Sequence, residues 1–387
     1  MKRENSIDIV RGIVMIIMAL DHVRDLMHVD ALTQSPTDLA TTTPILFFTR
    51  WITHLCAPIF VFLAGTSVYL SLKRKNNFTE TKQHLIKRGF WLLLLEFTLV
   101  NFGLFFDIGF HTLLFEVIAA IGFGFIIIGL LLKIPAKQLG ILGLIIIFCH
   151  NLFPLIPFAE GSVLKTIVSP FFSPTVIPFF AGKVFFIAYP PIPWLGIMLV
   201  GFASGQFFMK EQSKRKKLFL KISFSALSLF AIIRFITIYG DPAIWSSQKN
   251  AVFTFLSFMN ITKYPPSLLF CLVTLGILFL LLAFADQFHN RIKKVTTAYG
   301  RVPLFYFVVH FYVIHIITLF MLLLQGFNWS QFEFATGTFG RPKNLESGLP
   351  LWAIYLVWMS VVTILYKPCV WFGEYKAKNT YWWLRYI

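Results

Sequence analysis

The segment "IVRGIVMIIMALDHVRDLMHV" (residues 9–29) joins an apolar run to a cluster of charged and titratable side chains. About 20 residues of helix cross a bilayer, so the segment is long enough to span one. The titratable residues of its second half are Asp21, His22, Arg24, Asp25 and His28. A charged side chain at the centre of a bilayer costs roughly 2.5–3.5 kcal/mol on insertion scales. Such residues face the interior of a helix bundle and mark a candidate functional site.

The composition of the whole chain indicates a membrane protein. Of its 387 residues, 57% are hydrophobic and 13% are charged, whereas soluble domains carry about 25% charged residues. The polar stretches are too short for a separate soluble domain, which predicts one integral membrane domain over 1–387. The first apolar run leads into Asp21 and His22 instead of a small-residue cleavage site. We therefore expect the first helix to remain in the mature protein.

The hydrophobic pattern predicts an all-α fold, a polytopic bundle of about ten transmembrane helices. The predicted spans lie near residues 9–28, 45–71, 89–106, 112–132, 138–156, 190–209, 218–238, 266–285, 302–325 and 350–366. The fifth span and the aromatic loop at 157–189 leave room for an eleventh or re-entrant helix.

The distribution of basic residues predicts the orientation. Of the 34 Lys and Arg, 25 fall on one alternating set of connections, 6 on the other and 3 within spans. The positive-inside rule then places both termini in the cytoplasm. The net charge of +17 is mostly this topology signal, so we expect no nucleic-acid partner.

Polar residues of three distant segments are predicted at similar depth. With a rise of 1.5 Å per residue, Asp21 lies about 15 Å from the inner edge at Arg11. His54 and His310 each lie roughly 13 Å from the ends of their own spans. The second span also carries Arg50 one turn before His54, and we expect Pro58 to break that helix just below. These positions predict one polar cavity that opens toward the outer face.

The cluster in the first helix allows a structural and a chemical interpretation. Asp21, Asp25 and His28 follow i, i+4, i+7 spacing and would line one stripe, which Arg24 can neutralise. In the structural interpretation, Arg24 and Arg50 pair with the two aspartates and hold helices together. In the chemical one, histidines that titrate near neutral pH move protons.

Several other chemistries lack their motifs. The chain has no Walker-type loop, no H-E-x-x-H and no G-x-S-x-G sequence. The four cysteines form no C-x-x-C pair, which argues against a disulfide or zinc framework. A cation would be repelled by Arg24, so we expect no metal at this cluster.

Five blocks, in order, resemble the bacterial membrane proteins related to heparan-alpha-glucosaminide N-acetyltransferase. The blocks are "NSIDIVRGIVMIIMALDHVRD", "RWITHLCAPIFVFLAGTSVYLSLKRK", "YPPIPWLGIMLVGFASG", "KYPPSLLFCLVTLG" and "GRVPLFYFVVHFYVIH". The resemblance implies a multi-pass acyltransferase of the bacterial plasma membrane. Such enzymes transfer an acetyl or other acyl group from cytoplasmic acyl-CoA to a sugar or glycan acceptor on the far side.

The resemblance also suggests roles for individual residues. Asp21 stands where the family carries a catalytic Asn, and His310 stands on the family's conserved late His. His54 falls where the family carries an Asp. The family's catalytic His has no strict match in this sequence: His28 is the nearest in place but comes earlier along the chain, and His22 directly follows Asp21.

The resulting hypothesis is direct acyl transfer with a histidine base, His28 as first choice and His22 as second. Asp21 or Asp25 would orient that ring. A general base of this kind contributes about 10²–10⁴-fold. The groups predicted to stabilise the oxyanion are His310, Arg50 and Arg24. A covalent acyl-histidine route stays open.

Acetyl-CoA is the expected donor and needs cations at the inner mouth, where Arg11, Arg88 and Arg301 lie. The expected partners are membrane lipid and the glycan acceptor, and a homodimer stays open. The alternative function is a proton-coupled secondary transporter that uses the same Asp, His and Arg residues as a proton relay. The sequence leaves the identity of the acceptor, N- or O-transfer and the acyl length open.

Overall fold

The computed structural model describes residues 4–159, 161–180, 182–334 and 337–387. The helices are α1 (Asn5–Met27), α2 (Pro44–Thr53), α3 (Cys56–Lys75), α4 (Phe78–Leu95), α5 (Asn101–Phe105), α6 (Val117–Leu131), α7 (Ala136–Cys149), α8 (Val163–Phe172), α9 (Pro191–Ser204), α10 (Gln212–Ile236), α11 (Ala251–Met259), α12 (Leu268–Phe284), α13 (Asn290–Gly300), α14 (Pro303–Leu324) and α15 (Leu351–Lys378). The strands are β1 (Thr112–Phe115), β2 (Thr175–Phe179) and β3 (Lys183–Ile187).

The polytopic helical bundle predicted from the sequence is confirmed. Among the described residues, eight helical stretches are long and apolar enough to cross a membrane. They are Pro44–Lys75, Phe78–Phe105, Ala136–Leu155, Pro191–Met209, Gln212–Ile236, Leu268–Gln287, Pro303–Leu324 and Leu351–Lys378. The other two predicted spans correspond to α1, which carries the charged cluster, and to the 15-residue α6.

Helix α1 lies at the centre of the bundle, since 16 of its 23 residues are buried. It packs against α3, α12, α13, α14 and α15. Its contact with α13 is very close, because a Cβ at Gly12 would lie 1.8 Å from the carbonyl oxygen of Thr296. A similar approach joins α3 to α9, where a Cβ at Gly65 would lie 2.2 Å from the carbonyl oxygen of Met198. Small residues permit such backbone contacts between membrane helices.

The second predicted span is interrupted, but not where we expected. The helix breaks at His54 and Leu55, between α2 and α3. Pro58 is the third residue of α3, in a first turn whose N–H groups have no helical acceptor. A proline is tolerated there because its missing N–H removes no helical hydrogen bond. The expectation that Pro58 itself breaks the helix is therefore wrong.

A small sheet adds to the expected all-α architecture. Its strand order is β1-β3-β2, with β1 parallel and β2 antiparallel to β3. Strand β1 occupies the start of the span predicted at 112–132, and the other two lie in the predicted aromatic loop. That loop also contains α8, a ten-residue helix. It lies where the sequence leaves room for an eleventh or re-entrant helix. We call the side of the bundle at the start of α1 the inner side, which the basic residues predict to be cytoplasmic.

Candidate functional site

Asp21 is the centre of a buried ion-pair network between α1 and α2. Its carboxylate accepts hydrogen bonds from Nη2 of Arg24 at 2.6 Å and from Nη1 of Arg50 at 2.6 and 2.8 Å. Oγ1 of Thr53 donates a further bond at 2.8 Å. The structural interpretation of the cluster is thus present in the fold, because these bonds join two helices. A carboxylate with this many donors is held in place and suits positioning better than proton abstraction.

Asp25 completes the network on its open side. Nη2 of Arg24 also donates to Asp25 at 2.5 Å. The Asp25 side chain is 43% exposed, whereas that of Asp21 is 10% exposed. Nη1 of Arg24 is buried and has no hydrogen-bond partner among the described residues. Its N–H groups are therefore donors that no described acceptor satisfies.

A pair of histidines lies beside the network, where α1 meets α14. The ring centroids of His22 and His310 are 5.1 Å apart. Nδ1 of His310 lies within hydrogen-bond distance of the carbonyl oxygens of Phe307 and Tyr306, so Nδ1 carries the proton. Nε2 of His310 therefore presents a lone pair, and it is buried without a partner among the described residues. This atom can accept a proton or a hydrogen bond.

His54 lies at the break between α2 and α3, so its position depends on the interruption of that span. Its ring centroid is 5.6 Å from that of Phe270 on α12. Its Nδ1 is buried and has no partner in the described parts of the chain. Together with Arg50, His54 lines a cavity on the outer side.

His28 is separated from these residues by the end of α1. The helix ends at Met27, and His28 has extended backbone with φ −67° and ψ 137°. The i, i+4, i+7 stripe therefore stops at Asp25, since helical spacing no longer applies beyond Met27. The His28 side chain lines a recess of about 30 Å³, and its carbonyl oxygen accepts a hydrogen bond from Arg341. The structure thus gives His22, and not His28, the place beside His310.

The outer cavity has a volume of about 440 Å³. The predicted residues that line it are Arg24, Asp25, Arg50 and His54. Lys263 and Tyr264, which the sequence analysis did not assign to the site, also line it. Lys263 is only 8% exposed, and its Nζ lies 4.9 Å from the ring centroid of Tyr264. In the sequence, the "KYPP" motif before α12 is the feature that could have indicated that these two residues belong to the site.

A second cavity, of about 220 Å³, lies on the inner side. Side chains from α1, α3, α4, α6 and α14 line it, and most of them are apolar. Arg11 and Arg88 are its basic residues, as predicted for the inner mouth. Arg88 lies 5.5 Å from the ring centroid of Phe125, and its Nε has no partner among the described residues. Arg301 is exposed and does not belong to the lining of this cavity.

The structure therefore has two cavities where we expected one. On α1, the inner cavity reaches Met15 and the outer cavity begins at Arg24. Nine residues of helix correspond to about 13 Å, and Asp21 and His22 lie within this interval. On α14, the inner cavity reaches Phe307, whose ring contacts His310. A layer that contains the ion pairs and the two histidines separates the cavities, and along α1 it is about 13 Å deep.

Two further acidic residues anchor the wall of the bundle near this layer. Glu96 lies in a π-helical segment after α4, and its Oε2 accepts a hydrogen bond from the backbone N–H of Ala119 at 2.8 Å. Glu116 immediately precedes α6. Each acid has one carboxyl oxygen that is buried without a partner among the described residues. Within those same residues, no group of three or more His, Cys, Asp and Glu is arranged to hold a metal ion.

One family model matches the chain. The model describes the catalytic region of heparan-alpha-glucosaminide N-acetyltransferase, and the match covers residues 3–245. The matched part includes α1 to α10, and therefore the ion-pair network and most of the lining of the inner cavity. The comparison with curated proteins found no match.

Proposed function

The chain belongs to the heparan-alpha-glucosaminide N-acetyltransferase catalytic family, and from this membership we propose that it moves an acetyl group across the bacterial plasma membrane. Acyl-CoA enters the inner cavity from the cytoplasm, and a sugar or glycan acceptor enters the outer cavity. The observation that carries the proposal is the pair of cavities on opposite sides of the His22–His310 layer. The family membership supports the acetyltransferase class, and the two cavities support one substrate on each side.

The inner cavity suits the acyl-CoA donor. Its apolar lining can hold the uncharged parts of the pantetheine arm, and Arg11 and Arg88 provide positive charge for phosphate groups. Arg11 is fixed by a hydrogen bond of 2.9 Å to Oγ of Ser67. Arg88 lines the cavity, and in the described parts of the chain its buried Nε has no hydrogen-bond partner. The thioester end then lies near Phe307, next to His310.

The outer cavity suits a polar acceptor. Arg24, Arg50 and Lys263 provide N–H donors, and Asp25 provides an acceptor, so hydroxyl groups of a sugar find both kinds of partner. The acceptor's amine or hydroxyl would point inward, toward His54 and the layer below it. The geometry supports N- and O-transfer equally.

In the proposed reaction, the His22–His310 pair is the general base. It takes the proton from the acceptor nitrogen or oxygen as that atom attacks the thioester carbonyl. The carbon–sulfur bond then breaks, and the thiolate takes the proton to form CoA. Nη1 of Arg24, which has no hydrogen-bond partner among the described residues, is the donor that stabilises the oxyanion. Asp21 fixes both arginines and is a positioning residue.

Histidine variants in membrane vesicles test these roles. Inverted vesicles receive isotopically labelled acetyl-CoA, and CoA release and labelled product are measured by mass spectrometry. We expect H22Q and H310Q to lower the rate by about 10²–10⁴-fold, as for removal of a general base. H315Q is the matched control, because His315 lies on the same helix as His310, with Nδ1 hydrogen-bonded to the carbonyl of Leu104. Its buried Nε2, like that of His310, has no partner among the residues that the structure describes.

Two outcomes would overturn the proposal. If the wild-type protein neither binds nor consumes acetyl-CoA, the acyltransferase function is wrong, and the proton-coupled transporter becomes the better explanation. If the H22Q and H310Q variants keep the rate of the H315Q variant, the assigned base is wrong. A parallel H28Q variant decides between His28 and His22, and we expect it to keep most of the activity.

A further inference from the structure

We infer that the C-terminal aromatic segment, Tyr381–Ile387, forms the rim of the inner cavity and binds the adenine nucleotide end of the acyl-CoA donor. This inference rests on the proposed function and specifies which residues hold the donor's nucleotide. The segment lies outside the region matched by the family model.

The segment is folded back onto the bundle. It forms a short 3₁₀ turn, Trp382–Arg385, in which Leu384 is buried in the core. Nζ of Lys376 donates a hydrogen bond to the carbonyl oxygen of Ile387 at the end of the chain. These contacts hold the segment at the inner end of α15.

An aromatic ladder leads from the surface to the cavity. We use this name for Trp382, Tyr386 and His84. The ring of Tyr386 lies 5.5 Å from that of His84, and His84 lines the inner cavity. The ring of Trp382 lies 6.3 Å from that of Tyr386, edge to face. Trp382 is 68% exposed, so one aromatic surface at the rim is free to receive a planar base.

Basic groups lie on both sides of the ladder. Arg88 is one helical turn beyond His84 on α4 and lines the cavity. Arg385 is exposed at the rim and lies close enough to His84 for electrostatic interaction. An adenine nucleotide combines a planar base with several phosphates. Stacking on aromatic rings and pairing with arginines are the two interactions that bind these parts.

An exposed tryptophan at the end of a membrane helix has a competing explanation. Trp and Tyr are enriched at both membrane interfaces, where they contact lipid headgroups. In that case Trp382 would affect membrane anchoring and not donor binding. Trp329 provides a matched control, because it is 67% exposed and lies on the outer side, after α14.

The experiment measures donor binding by the full-length protein in nanodiscs of phosphatidylglycerol and phosphatidylethanolamine. The ligands are acetyl-CoA and acetyl-pantetheine, which has the same thioester but no nucleotide. Stacking of a base on an aromatic ring corresponds to about a 5-fold or larger change in affinity. We expect W382A to weaken acetyl-CoA binding by at least that factor and to leave acetyl-pantetheine binding unchanged. We expect W382F to restore much of the affinity, and W329A to bind both ligands as the wild type does.

The outcomes separate this inference from the proposed function. If the wild type binds acetyl-CoA and W382A and Y386A bind it equally well, the inference is overturned and the acyltransferase proposal stands. If the variants lose affinity for both ligands alike, the segment has a structural role only, and the inference is again wrong. If the wild type binds neither ligand, the proposed function fails, and the inference falls with it.

Discussion

Replacement of Asp21 by Asn tests whether the buried network holds the bundle together. The substitution keeps the shape of the side chain and removes its charge. It leaves the guanidinium groups of Arg24 and Arg50 buried without the carboxylate that accepts three hydrogen bonds from them. Removal of one partner from a buried ion pair costs about 3–5 kcal/mol, since the remaining charge is uncompensated. We expect the free energy of unfolding of D21N to fall by this amount.

The D25N variant is the matched control for this experiment. Asp25 lies on the same helix and binds the same arginine, at 2.5 Å. Its side chain is 43% exposed, and ion pairs that water reaches contribute about 0–1 kcal/mol. The difference between the two variants therefore measures what burial and the additional partners Arg50 and Thr53 contribute at Asp21.

Unfolding in mixed micelles, followed by tryptophan fluorescence as the denaturing detergent fraction rises, gives both free energies. The double variant D21N/R50Q removes one of the stranded charges, and we expect it to be more stable than the sum of the single changes predicts. Equal destabilisation by D21N and D25N would refute the reasoning, as would simple additivity in the double variant.

Three further predictions, made with four variants, test other parts of the fold by the thermal midpoint in detergent. G12A should destabilise the fold by more than about 1–3 kcal/mol, because its Cβ would overlap the carbonyl of Thr296. G373A is the control, because the nearest neighbour of its Cβ is 3.8 Å away. It should be neutral or stabilise the fold by up to about 1 kcal/mol. Burial lowers the pKa of His28. The stability that the neutral His28 ring contributes is therefore present at neutral pH and is lost as the pH falls below about 6.5. H28Q should flatten this pH dependence of the thermal midpoint. R234K should lower the midpoint, since an ammonium group cannot reproduce the planar fork that binds four backbone carbonyls.

The depth of the polar residues was accessible from the sequence because helical rise is constant. The ten residues from Arg11 to Asp21 predict the depth of the layer in the membrane. The same calculation places Arg50 and His54 at the depth of the outer cavity. The arithmetic failed at two places where the backbone leaves the helix. Met27 ends α1, which removes His28 from the stripe, and the break at His54 precedes the proline that was expected to cause it.

The separation into two cavities could not be predicted from spacing. Depth along each helix says nothing about which side chains face each other. His54 lines the outer cavity, whereas His310 contacts Phe307, which lines the inner cavity. Lys263 reaches the site from a loop that periodicity does not describe. The sheet was missed for a similar reason, since β1 is four residues long and lies inside an apolar run that reads as helix.

The placement of the charges bears on the choice between an acyltransferase and a proton-coupled transporter. A relay needs a carboxylate that exchanges partners, yet Asp21 is held by Arg24, Arg50 and Thr53 together. Its release would leave Arg50 without the carboxylate that it binds. Guanidinium groups do not give up their protons, and fixed cations in a narrow passage form an electrostatic barrier to protons. Arg24, Arg50 and Lys263 line the outer cavity above the layer. In the proposed reaction, donor and acceptor approach the layer from opposite sides. The same barrier opposes the leakage of protons through the layer.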